Sequence, residues 1–376
     1  MLPAGAGRIK ELKHLDTLTL LAAVVSASSS HAASSATRAR TVEEVAPGVH
    51  LIRHPDAPDE FPQSNTTVVI GERAVLVVDS CYLPSAARED IAEIKRWTDK
   101  PVRYVVNTHW HYDHQMGNAA YRDAFPGVSI LAHAETRNQI AGYDPGWFSR
   151  FPDRARQFQK LLDDGKDGDG RALSDNDKKT YRDALAGLVP VGKEYAELAP
   201  RVADLTPDAT FDEALTIDLG GRVAEVRFLG RGNTAGDTVV WLPKERVLAA
   251  GDLVVHPVPY LGGGFPAEFV RTLGRLVALD PLLIVPGHGE LLHGTAYPRM
   301  IAEFIAAVNA QVSAAVYRLG NGSRNVADIQ KAVEGGLDLP GWRQRFAGDD
   351  PDSRDTFDGF SFPGLVRASH AEIWRR

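Results

Sequence analysis

The 376-residue sequence predicts an α/β metalloprotein, and three observations carry that prediction. First, short apolar runs of strand length alternate with segments whose apolar residues recur at helical spacing. Second, the stretch NTHWHYDHQMGN (107–118) places His109, His111, Asp113 and His114 within six consecutive positions. Imidazole nitrogens and a carboxylate oxygen are the donors a borderline cation such as zinc prefers. Third, His109, Asn233, Asp252 and His288 each lie just past an apolar strand or in the loop that follows one. Sheet proteins assemble sites at such places, because the loops converge there while the sheet holds them rigid.

The N-terminal segment reads as an export signal over residues 1–32. Arg8, Lys10 and Lys13 precede the apolar run LTLLAAVVSA (18–27), and Ser30 and Ala32 fit a small-x-small cleavage pattern. Glu11 and Asp16 weaken the basic region, and the competing reading is a disordered extension. The apolar run is too short to span a membrane, and no other segment reads as transmembrane. The expected product is periplasmic or secreted, without stable membrane insertion after processing, and its main domain covers 42–376.

Along that domain, TTVVI (66–70), the turn GER and AVLVVD (74–79) read as a β-hairpin. AAREDIAEIKRW (86–97) has helical spacing, VRYVVN (102–107) is a strand running into the histidine cluster, and GNAAYRDAF is a short helix before the strand VSILAH (128–133). The chain then changes character. ETRNQIAG, DRARQFQKLLDDG and DNDKKTYRDALAGL are polar and helix-prone, giving a helical insertion over 135–208. Within it, DDGKDGDGR lacks the EF-hand spacing and closing Glu, so it reads as a solvated linker. Strands resume with RVAEVRFLG (222–230), TVVWLP (238–243), RVLAAGD (246–252) and LLIVPGHG (282–289). Pro266 opens a helix whose expected buried stripe is Phe269, Leu273, Leu276 and Val277. A longer amphipathic helix over about 299–319, stopped by Gly320, begins a C-terminal helical extension over 298–376.

Composition narrows the function classes. Hydrophobic and charged fractions of 44% and 24% are ordinary for a globular protein, and the net charge of −7 argues against a nucleic-acid partner. The single cysteine, Cys81, excludes an intramolecular disulfide and a cysteine zinc cage. It follows an apolar run, which favours a buried structural thiol over a nucleophile.

Four motifs, THWHYDH (108–114), GRGNTAGD (230–237), AAGD (249–252) and PGHG (286–289), occur in the order found in the metallo-beta-lactamase superfamily, which the chain resembles over most of 45–295. The resemblance implies a four-layer αββα sandwich with the helical insertion beside it and the metal site at one edge of two packed sheets. It implies a first zinc on His109 and His111, a second on Asp113, His114 and His288, and Asp252 bridging both. Zinc-bound hydroxide would be the nucleophile, with Asp113 as the catalytic residue that orients it. Asn233 stands where the family usually has histidine. As a neutral amide it is a weaker ligand or a substrate contact, so one or two zinc ions per chain are expected. His256 either reaches into the first site or belongs to a loop shaped by Pro257 and Pro259.

Aspartate at 252 resembles the lactone, thioester and phosphodiester hydrolases of the superfamily more than its true β-lactamases. The expected function is hydrolysis of a small acyl substrate: a lactone, ester, thioester or β-lactam. The alternative is a metal-dependent binding or assembly module with little turnover. Trp110 and Tyr112 either line an apolar pocket mouth or pack beneath the metal loop.

Overall fold

The computed structural model describes residues 39–168, 170–319 and 325–374. The expected signal peptide and its cleavage site, and the expected stop at Gly320, lie outside these residues. Two sheets form the centre of the fold. The first has seven strands in sequence order: β1 (Thr41–Ala46), β2 (Val49–Arg53), β3 (Thr66–Ile70), β4 (Val75–Val78), β5 (Val102–Val106), β6 (Ser129–His133) and β7 (Ala209–Phe211). It is antiparallel through β4 and parallel from β4 to β7. The second has six strands, running from β8 (Ala214–Asp218) through β9 (Val223–Phe228), β10 (Thr238–Leu242), β11 (Val247–Ala249) and β12 (Leu283–Val285) to β13 (Leu292–His293).

The period-2 alternation of each strand assigns its side chains to a layer. Leu76 and Val78 of β4 face the second sheet and pack with Val226, Val240 and Leu242. Val75 and Val77 of the same strand point the other way, onto α1 (Pro84–Trp97). That helix starts with Pro84 in its first turn, ends with Lys95 and Arg96 in its last, and turns Ala87, Ile91 and Ile94 toward the sheet. The outer face of the second sheet, with Val239, Trp241, Leu248 and Ile284, is covered by the C-terminal helices. The architecture is therefore helix, sheet, sheet, helix, the αββα sandwich.

Following β5, the histidine loop leads into a short helix, α2 (Tyr112–Gln115), and then α3 (Asn118–Ala124). The insertion between β6 and β7 consists of α4 (Ala134–Ala141), α5 (Arg150–Asp164) and α6 (Asp175–Leu198), with 3-10 turns between and after them. Ser174 and Asp177 form a capping box at the start of α6, and Phe158 stacks on Tyr181 at 5.2 Å between α5 and α6. The acidic turn between α5 and α6 uses its carboxylates locally: Asp167 Oδ1 accepts from the Arg171 N–H at 2.9 Å.

Two details differ from the sequence reading. In α7 (Pro266–Ala278) Pro266 does open the helix, but the buried stripe is Phe269, Thr272, Leu273 and Leu276, and Val277 is only half-buried. Thr272 enters the stripe because its Oγ1 donates to the Arg231 carbonyl at 2.8 Å. The long helix α8 (Ala296–Arg318) begins three residues earlier than expected. It is long and apolar enough to cross a membrane by length and composition, but Ile301, Phe304, Ile305, Val308 and Val312 are fully buried against its neighbours, as in a core helix. Beyond it, α9 (Val326–Glu334), α10 (Leu339–Ala347), α11 (Pro351–Thr356) and α12 (Phe362–Ile373) complete the outer layer.

Candidate metal centre

The centre forms where strands of both sheets end. β5 leads into a bend over 108–110 that carries His109, His111 follows with extended backbone, and the first turn of α2 carries Asp113 and His114. Asp252 sits in a 3-10 turn after β11, and His288 follows β12. Hydrogen bonds lace these loops together: Asn65 backbone N–H donates to Gly287 O at 2.7 Å, Gly287 N–H to Gly251 O at 3.0 Å, and the Asn65 side-chain Nδ2 to Pro286 O at 3.0 Å. Gly287 is required by close approach, since a Cβ there would stand 2.0 Å from Asp252 Oδ1.

Two groups of donors result, each drawn together to within 4.8 Å: His109, His111 and Asp252, and Asp113, His114, Asp252 and His288. Asp252 belongs to both. Its Oδ2 lies 3.5 Å from His109 Nε2, while Oδ1 lies 3.3 Å from His114 Nε2 and 3.5 Å from His288 Nε2. In the second group Asp113 Oδ2 is 2.9 Å from His288 Nε2 and 3.3 Å from His114 Nε2. In the first, His109 Nε2 and His111 Nδ1 stand 2.9 Å apart.

A shell of acceptors fixes the imidazoles. His114 Nδ1 donates to Asp79 Oδ2 at 2.7 Å, and His288 Nδ1 to the Gln63 carbonyl at 3.1 Å, so each Nε2 is turned inward. Asp79 is itself held by the N–H and Oγ1 of Thr108, both at 2.8 Å, and adopts a left-handed φ of 61°, which aspartate tolerates. The donor set fits a divalent cation. His114 Nε2 and Asp252 Oδ1 are buried without a hydrogen-bond partner among the described residues, an expensive arrangement for polar atoms unless something else engages them.

The buried carboxylates and imidazoles shift one another. Burial opposes charge on His114, but Asp113, Asp252 and Asp79 outweigh it and hold this imidazole well above the ordinary range. On His109, burial together with His114 prevails and lowers it. For Asp113, burial is overcome by His114 and His288, which keep the carboxyl well below its usual range.

The other singled-out residues lie around this centre. Asn233 is buried, and its Nδ2 makes no hydrogen bond among the described residues. The loop carrying it is organised by Asp237, which accepts from Gly232 N–H at 3.0 Å and from Thr234 N–H and Oγ1 at 2.8 Å. Burial pushes the Asp237 carboxyl up to about 7. His256 joins neither group of donors: its ring lies edge-on to Tyr297 at 5.1 Å, and its backbone N–H donates to the His288 carbonyl at 3.1 Å. Tyr112 stacks on Trp147 of the insertion at 4.0 Å, and Trp110 packs in the same apolar cluster while its carbonyl accepts from Tyr143.

Sequence reasoning passed over Asp79, Gln63 and Tyr260. Asp79 had a signal, an acid closing the apolar run AVLVVD; Gln63 acts through its backbone and had none. The Tyr260 ring lies 5.7 Å from that of His111, and burial, reinforced by Asp252 and Asp113, pushes its phenol up to about 12, so it stays a donor.

The description of the metallo-beta-lactamase superfamily matches residues 59–288. A linear primary-alkylsulfatase of Pseudomonas sp. (strain ATCC 19151) is 28% identical over 238 residues, covering 58% of this chain and 40% of that protein. A metallo-beta-lactamase type 2 of Bacteroides fragilis is 30% identical over 90 residues, 22% of this chain and 36% of that one. The chain thus spans well under two thirds of either relative. Among solved structures, a metallo-beta-lactamase from Pontibacter korlensis aligns at 19% identity with a TM-score of 0.46, covering 71% of this chain and 99% of that one. The family match takes in more than half the sequence, and the chain belongs to the metallo-beta-lactamase superfamily.

Proposed function

We propose that this protein is a zinc-dependent hydrolase of a small acyl substrate: a lactone, ester, thioester or β-lactam. The observation that carries the reading is Asp252, whose two oxygens are divided between two histidine-rich donor groups. His109, His111 and Asp252 would hold one ion, and Asp113, His114, His288 and Asp252 a second. Zinc is the proposed ion because imidazole and carboxylate donors suit a borderline cation. When bound, such an ion supplies Lewis acidity and lowers the proton affinity of nearby water.

The remaining work falls to the chain. Asp113 stays ionised, so it can accept a proton and orient the attacking water. Asp79 and Gln63 fix the tautomers of His114 and His288. Tyr260, still protonated, can donate to a developing negative charge on the substrate. The packing of Trp110 and Tyr112 against the insertion supports a supporting role beneath the loop for these two rings.

The test is a panel of lactone, thioester, β-lactam and phosphodiester substrates with zinc-loaded protein. Primary alkyl sulfates join the panel because of the alkylsulfatase relative. We expect turnover of an acyl substrate that falls at least about 100-fold in Asp113→Ala, the usual scale for a proton-transfer residue. Turnover unchanged by Asp113→Ala would reject the mechanism. Asn233 favours a second reading, a metal-dependent binding or assembly module, because it weakens one ion site; no turnover across the panel by fully loaded protein would favour that reading.

A further inference from the structure

Outside the two donor groups, three other titratable side chains converge behind the metal loop. His54 follows β2, Cys81 follows β4, and Asp90 projects from α1. His54 Nε2 lies 3.0 Å from both carboxylate oxygens of Asp90 and 3.4 Å from Cys81 Sγ, and Sγ lies 3.6 Å from Asp90 Oδ2. The side chains are buried, with His54 only 1% exposed and Asp90 and Cys81 fully enclosed. A tetrahedral ion with bonds of roughly 2.3 Å to sulfur and about 2.0 Å to nitrogen and oxygen would set its ligands about 3.3–3.6 Å apart. The observed triangle has those dimensions to within a few tenths of an ångström.

The surroundings match a ligand set as well. His54 Nδ1 lies 2.8 Å from the Ser64 carbonyl; donating there leaves Nε2 as the inward atom. Arg40 donates to Asp90 Oδ1 at 2.8 Å and leaves Oδ2 facing the sulfur; the arginine is answered in turn by Glu93 at 3.8 Å. A second and independent observation comes from Tyr121. Its ring packs in the cluster that contains Ile52, Ala87 and Ile91, close in the chain to His54 and Asp90, and its hydroxyl is buried with no hydrogen-bond partner among the described residues. A buried hydroxyl without a partner is unfavourable, and a water held by an ion would satisfy it. Thr66 Oγ1 offers a further oxygen, 3.4 Å from Sγ.

We propose that His54, Cys81 and Asp90 form a separate structural site for a zinc-class divalent cation, distinct from the two donor groups around Asp252. Loading it releases the thiol proton of Cys81 and the Nε2 proton of His54 to solvent, and the thiolate and carboxylate balance the ion's charge. The ion would tie the chain after β2 to α1 and to the metal loop, where Met116 N–H donates to the Cys81 carbonyl at 3.1 Å. The rival arrangement has a proton in the ion's place, with His54 as an imidazolium bonded to Asp90.

Cobalt(II) separates the two. Cys81 is the chain's single cysteine and the Asp252 groups contain no sulfur, so a near-ultraviolet thiolate-to-cobalt charge-transfer band can arise only here. The full chain is expressed in cobalt-supplemented medium, so that the ion can enter as the chain folds. The expected result is the band in the wild type, its persistence in His288→Ala, and its loss in Cys81→Ser together with about one cobalt per chain. A wild-type protein that carries cobalt but lacks the band overturns the proposal, and that result needs no variant to fold. Retention of the full cobalt content by a folded Cys81→Ser protein overturns it equally.

Discussion

At the scale of single residues, the Asp252 carboxylate is closely confined. Gly287 leaves no room for a side chain beside it, so Gly287→Ala must displace either Asp252 or the loop after β12. We expect this variant to fold and to bind metal at least about tenfold more weakly, the lower end of what misplaced support costs a site. Isothermal titration with zinc checks it. Asn233 gives the opposite case. Its amide is a poor zinc donor, so the unmodified protein should hold fewer ions around Asp252 at limiting metal than Asn233→His does. Elemental analysis showing the same content in both would mean that the third donor is already supplied. The ligand-type residues were legible in the sequence because their chemistry is unusual and local. Gln63 and the orphaned Tyr121 hydroxyl were not, because a backbone carbonyl and a buried phenol acquire meaning only from what folds against them.

At the scale of elements, the strands with continuous apolar runs were legible because both of their faces are buried. β1, β2, β7, β8 and β13 were missed: β1 and β8 are largely exposed, polar His50 and Arg53 interrupt β2, and β7 and β13 are too short for a pattern. The error in the α7 stripe has a similar cause, since Thr272 is buried through a hydrogen bond that apolar counting ignores. α8 is the element most exposed to test. Phe304 is fully buried at its centre, 5.1 Å from Trp342 and 5.5 Å from Phe357. Phe304→Ala should destabilise the fold by about 3–5 kcal/mol, the usual cost of emptying such a site. Chemical denaturation measures it, and a loss below about 1 kcal/mol would show that the C-terminal layer packs on the second sheet less tightly than described.

At the scale of the whole molecule, two behaviours follow from charge and burial. Asp237 has a carboxyl pushed up to about 7 by burial, against about 3.9 in an unfolded chain. Between those values the folded protein keeps a proton that the unfolded chain gives up, so stability falls as pH rises through that window. Asp237→Asn should flatten this dependence; a thermal-unfolding profile of unchanged slope would assign it to other groups. Export rests on the N-terminal sequence pattern, and it predicts a secreted or periplasmic product beginning at Ala33, readable by mass spectrometry of the native protein. The sandwich itself became legible through the order of the four motifs, since composition and periodicity reach no further than an α/β metalloprotein.

Asp252 is proposed to hold metal in two donor groups at once. Elemental analysis of Asp252→Ala beside His109→Ala and His288→Ala, all at limiting zinc, tests it most directly. Asp252→Ala should retain less zinc than either histidine variant, because it damages both groups while each histidine belongs to one. An Asp252→Ala protein that keeps as much zinc as His109→Ala or His288→Ala would contradict it.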